Sequence, residues 1–219
     1  MQLSAGSASP FDNLAAVFGV RELPHAMFYE FEYALRFELG GEIYDSRTSP
    51  IPRFLQALDR ARSVAHFLFD TSDHVSAIVS YSGGKYRGRR ERRPSQDLLD
   101  LGFENPLGPY YKVAAEDDDE LYRYWHWVDR VALSPDIDTL LWASISAEQA
   151  VTPKSRWTKI YVVDLTKGII LHVYDDRGMD VVAKRPEALL ALYEQFNGWL
   201  LEWDRSKMEN TFGHLSLGP

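Results

Sequence analysis

The segment LYRYWHWV, residues 121–128, most constrains the fold. Tyr122, Tyr124, His126 and Val128 alternate with Leu121, Arg123, Trp125 and Trp127, the two-residue period of a β-strand. Both of its faces are bulky. A strand of this kind cannot turn one side to water, so it requires either a sheet covered by layers on both faces or a partner protein over one of them.

Other segments supply the sheet and its cover. From 28 to 39, Phe31, Tyr33, Leu35, Phe37 and Leu39 alternate with Glu30, Glu32, Arg36 and Glu38, which predicts a half-buried strand ended by Gly40 and Gly41, with Ile43 and Tyr44 beginning a return strand. Further strands are expected over 75–81, 157–163 and 168–174, the last two joined by a turn at 164–167 short enough for a hairpin, and a brief one over 179–182. Helical spacing appears at Phe11, Leu14 and Phe18 up to Gly19, and over 52–69 through Phe54, Leu58, Ala61, Ala65 and Leu68. Asp59, Arg60 and Arg62 fall on the polar side of that helix, as solvated charge. A short helix is expected at 96–101 and another from Ser134 and Pro135 to before Pro153. A last helix opens at Pro186 with Leu189, Leu192, Phe196, Trp199 and Trp203 as its apolar stripe, weakened at Asn197 and Gly198. The pattern implies an α+β fold, an antiparallel or mixed sheet with helices packed against it, in a single domain over 11–219 after a flexible segment at 1–10.

Composition narrows the function classes. At 219 residues and 45% hydrophobic, the chain has the material for one core, and no apolar run reaches the length of a membrane helix. Residues 1–10 lack both a basic start and an apolar stretch, so a cytoplasmic location is expected. A net charge of −8 disfavours broad nucleic-acid binding. Charge is unevenly distributed, however: Lys85, Arg87, Arg89, Arg90, Arg92 and Arg93 are opposed only by Glu91, and 116–120 is an unbroken acidic run expected as a loop. With no cysteine there is no thiolate site, and a metal would need histidine and carboxylate ligands. No cofactor is expected.

Two clusters could carry a function. Glu116, Asp117, Asp118, Asp119 and Glu120 precede Tyr122, Tyr124, Trp125 and Trp127, placing charge beside aromatic anchors as protein interfaces do. The second is His172, Asp175, Asp176, Arg177 and Asp180. Its acids and imidazole suit a hard cation if they converge, but Asp-Arg-Gly is also ordinary turn chemistry, with Arg177 bracing an aspartate and Gly178 supplying a positive backbone angle. His126 is expected as a hydrogen-bonded interior histidine. No zinc-protease helix, nucleophile elbow or phosphate-binding loop is present in the sequence.

The run LHVYDDRGMDVV at 171–182, followed by LYEQFNGWLLEWDRSKMENTF at 192–212, resembles the C-terminal signature of a bacterial family of unassigned function. FYEFEYALRFEL, FLQALDRARSVAHFLF and YRYWHW resemble its other landmarks. The resemblance implies a fold and a bacterial source more than an activity, carries over no established catalytic residue, and implies a variable insertion at 85–93. Small acidic proteins of this build are often immunity proteins. The expectation is therefore a non-enzymatic partner that occludes a cytosolic toxin, a nuclease or a nucleotide- or ADP-ribose-transferring enzyme, whose cationic cleft an acidic surface would fill. A metal-dependent enzyme or ligand binder at 172–180 is the alternative.

Overall fold

The computed structural model describes residues 8–41, 50–84, 94–115, 118–155 and 158–216. The basic stretch 85–93 and the return strand at Ile43 and Tyr44 lie outside them. The chain runs α1 (Pro10–Phe18), α2 (Met27–Glu30), β1 (Tyr33–Glu38), α3 (Pro50–Phe69), β2 (Ser76–Gly84), α4 (Pro94–Asp100), β3 (Tyr110–Ala115), β4 (Asp118–Val128), α5 (Asp138–Ser146), β5 (Thr158–Asp164), β6 (Ile169–Val173), β7 (Gly178–Ala183), α6 (Glu187–Gln195) and α7 (Arg205–Ser216). The strands form one antiparallel sheet in the order β1-β7-β6-β5-β2-β4-β3. This is an α+β domain with helices packed against the sheet.

The central strands β6 and β7 are buried at every position, so both sheet faces carry a layer. On one face the register sets Trp127, Ile78 and Tyr161 side by side, and farther along sets His172, Asp180 and Arg36 side by side. This face is covered by the N-terminal chain: Phe11 of α1 meets Trp127 edge-on at 5.6 Å, the Tyr161 hydroxyl donates to the Leu23 carbonyl at 3.1 Å, and the Phe28 amide donates to Asp180 at 2.9 Å. Helices α3 and α5 pack together over the opposite face. Phe54, Ala57, Ala61, Val64, Ala65 and Leu68 recur every three or four residues along α3, which gives it one continuous apolar stripe.

Local chemistry fixes the ends. Ser9 caps α1 in a reciprocal pair with Asp12, and Gly19 closes it at φ 79°, the left-handed conformation that glycine takes without strain. Asn197 and Gly198 do more than weaken the last helix. They end it, and the chain continues through two single 3₁₀ turns before α7. In that gap Leu201 donates to the Arg36 carbonyl at 2.9 Å and Leu200 bridges Phe37, so the outer edge of β1 is sealed by the chain's own backbone.

Several expectations are corrected. Residues 27–30 form one helical turn before β1 rather than the first half of a strand. A further strand, β3, pairs with β4, and β4 begins inside the acidic run at Asp118. Arg60 and Arg62 are not merely solvated: Arg60 donates to the Glu38 carbonyl at 2.9 Å and lies over the Trp199 ring, while Arg62 grips Asp138 through Nε and Nη2 at 2.9 and 3.1 Å. Asp138 also accepts from His66 and Ser134, which staples α5 to α3 at the edge of a groove of about 400 Å³. Gly178 has no positive φ. It is glycine because the Tyr174 hydroxyl and Phe37 carbonyl lie where a Cβ would be. No helix among the described residues is long and apolar enough to cross a membrane.

Candidate functional site

The acidic run spans the connection between β3 and β4 at the outer end of the sheet. Ala115 ends one strand and Asp118 starts the next, with Asp119 and Glu120 following in β4, while Glu116 and Asp117 lie outside the described residues. Of the aromatic residues predicted beside it, Tyr122 and Tyr124 are half-buried. Trp125 and Trp127 are corrected: at 1% and 4% exposure they belong to the chain's own core, where Trp125 stacks on Tyr111 and Tyr161 and Trp127 meets Phe11. Alternation explains the split, because β4 sends its indoles to the N-terminal layer and its tyrosines to the other face. There Tyr124 and His126 stack against Tyr81 at 5.2 and 5.6 Å, and His126 stacks on Tyr110 at 5.0 Å. His126 is hydrogen-bonded, its Nε2 lying 3.2 Å from the Tyr81 hydroxyl. Tyr110, on the edge strand, is 62% exposed, a feature sequence reasoning missed with β3 itself.

The 172–180 cluster is folded into the protein rather than gathered around a ligand. Asp175 accepts from the Arg177 amide at 2.7 Å and from its guanidinium, so Arg177 braces the turn. Asp176 pairs with the buried Arg53, and Asp180 takes Arg36 Nε at 2.8 Å together with the Phe28 amide. The three acids are thus turned to three different arginines and do not converge, and the described residues contain no group of three metal-ligating side chains. Burial pushes the Asp180 carboxyl above the usual carboxylate range, against the pull of Arg36 and the Phe28 amide.

His172, 1% exposed, meets a residue that the sequence leaves scattered. Its Nδ1 lies 2.7 Å from the Ile160 carbonyl, an acceptor only, so the proton is on Nδ1 and the Nε2 lone pair faces His25 Nδ1 at 3.3 Å. His25 therefore donates from Nδ1 and keeps its Nε2 lone pair for the surface. Burial lowers the His172 pKa to about 3, so this ring is neutral at physiological pH.

One step along the same face, Ser80 is in register with Trp125 on one side and Lys159 on the other. The sequence carries no sign of this grouping, since only strand register brings the three together.

The molecule is thus a single α+β domain with an aromatic-rich antiparallel sheet, an acidic edge hairpin and a histidine pair that joins the N-terminal chain to the sheet. By sequence it belongs to the family described as "Domain of unknown function (DUF3885)", whose model matches residues 11–204. A similar stretch occurs in a Bacillus subtilis (strain 168) protein, "Uncharacterized protein YnaE": 39% identity over 44 residues, 20% of this chain and 21% of that one. The match thus spans about a fifth of that relative's length. No solved structure matches.

Proposed function

We propose that the protein works by binding another protein through the β3–β4 hairpin, as an immunity protein that blocks a toxin domain with a cationic cleft in the cytoplasm. The observation that carries this reading is the position of the acidic run: it joins two strands at the outer end of the sheet, with half-buried Tyr122 and Tyr124 next along β4 and the exposed Tyr110 at the far end of the same hairpin face. Carboxylates at a hairpin tip steer a basic partner toward contact, and tyrosines supply contact area at low entropic cost. Trp125 and Trp127 hold the hairpin from behind and are not part of the contact. The binding reading requires no chemistry from this chain.

The test is co-expression with the polypeptide encoded beside it, scoring host survival and co-elution on a sizing column. Survival with a stable complex is expected, and replacing Asp118 and Asp119 by lysine together with Tyr110→Ala should weaken the complex most at low salt. Toxicity left unrelieved by the wild-type chain, or a complex indifferent to these changes, would sink the reading.

A further inference from the structure

We propose that the sheet margin around Ser80 binds a phosphate-type oxyanion, at a site separate from the hairpin tyrosines and on the opposite sheet face. Trp125, Ser80 and Lys159 are consecutive cross-strand neighbours, so their side chains share one face. Ser80 and Trp125 are each 1% exposed, and neither Ser80 Oγ nor Trp125 Nε1 has a hydrogen-bond partner among the described residues. Buried polar atoms are nearly always paired, and two unpaired in one register position indicate that a bonding partner is missing from the set.

The neighbours define that partner. Lys159 is half-buried, and Arg123 stands one step outward on β4, opposite Ser82. No carboxylate pairs with either cation among the described residues, although the chain carries a net charge of −8. Burial, with a smaller contribution from Arg123, lowers the Lys159 ammonium pKa. Indole N–H, ammonium and guanidinium donate and cannot accept, so these groups cannot satisfy one another. What satisfies all of them is an acceptor with several oxygens and about two negative charges. A phosphate group has both, roughly −1.5 to −2 charge and three strong acceptor oxygens, whereas a carboxylate brings a single negative charge to the two cations.

The experiment is calorimetric titration of the full chain at low ionic strength with inorganic phosphate, with phenyl phosphate and with acetate, alongside the nitrogen–proton spectrum of the Trp125 indole, assigned by its loss in Trp125→Phe. Phosphate is expected to bind and to move the Trp125 indole proton downfield, and Lys159→Met and Arg123→Met should each weaken binding by about tenfold or more. Phenyl phosphate binding more tightly than phosphate identifies the ligand as a phosphate ester, and equal affinity identifies it as free phosphate. An unmoved indole resonance, affinity unchanged in Lys159→Met, or acetate binding as well as phosphate overturns the proposal. None of these readings depends on a protein partner, so this site and the hairpin stand or fall separately.

Discussion

His172 and His25 are joined Nε2 to Nδ1 at 3.3 Å, and the Ile160 carbonyl behind His172 fixes the order of protons along that line. The inner ring cannot take up a second proton without placing a charge in the core.

That arrangement has a pH signature. Burial holds His172 near 3 in the folded chain, against an ordinary value of 6.5. Between those values the unfolded chain binds a proton that the folded chain refuses, so stability is complete above the upper value and falls as pH drops toward the lower one. The slope contributed is at most about 1.4 kcal/mol per pH unit. Urea unfolding at several pH values should show it, and His172→Gln, which still donates to Ile160 but does not titrate, should flatten it. Identical slopes in the two proteins would rule it out.

Asp180 anchors Phe28 of the N-terminal layer and Arg36 of β1 at once. Asp180→Ala leaves a guanidinium in the interior with only Asp204 beside it, and removal of one partner of a buried pair costs about 3–5 kcal/mol. Asp180→Asn keeps an acceptor for the Phe28 amide and should cost less. Denaturant midpoints of the two variants order them, and reversal of that order would contradict the anchoring role.

Two glycines should respond in opposite senses to alanine. At Gly178 a Cβ collides with the Tyr174 hydroxyl and the Phe37 carbonyl, so Gly178→Ala should destabilise by about 1–3 kcal/mol. Gly213 sits inside α7 with open space around it, and Gly213→Ala should stabilise by about 0.5–1 kcal/mol. Thermal melts distinguish the two directions.

The two faces of the hairpin should separate stability from binding. Trp127→Ala removes a buried indole and should cost about 3–5 kcal/mol, while Tyr110→Ala at the exposed edge should stay within about 0.5 kcal/mol. A large loss for Tyr110→Ala would show that its ring holds the fold rather than facing a partner.

The sequence makes legible what alternates strongly or repeats at helical spacing: α1, α3, the hairpin β5–β6 and the aromatic strand β4. Its demand for a layer is met on one face by α1, while on the other its tyrosines and His126 stay half-buried against Tyr81 and Tyr110. It does not reveal β3, because YYKVAA is short and has no alternation to set it apart. Nor does it show that Asn197 and Gly198 end a helix, since Leu200 and Leu201 use the gap to reach Phe37 and Arg36 of β1, 163 and 165 residues earlier in the chain. The candidate sites follow the same division. Arg177 bracing Asp175 is local and readable, whereas His25 with His172, and Ser80 between Trp125 and Lys159, exist only through register.

The sheet ends in two unlike ways. The chain's own backbone at 200–201 seals β1, and no described strand pairs with the outer edge of β3. With one open rail among the described residues, the sheet can be extended there in one direction only. Two copies meeting β3 to β3 would consume both rails at once, so edge-to-edge association through this strand terminates at a pair and cannot propagate into a fibre.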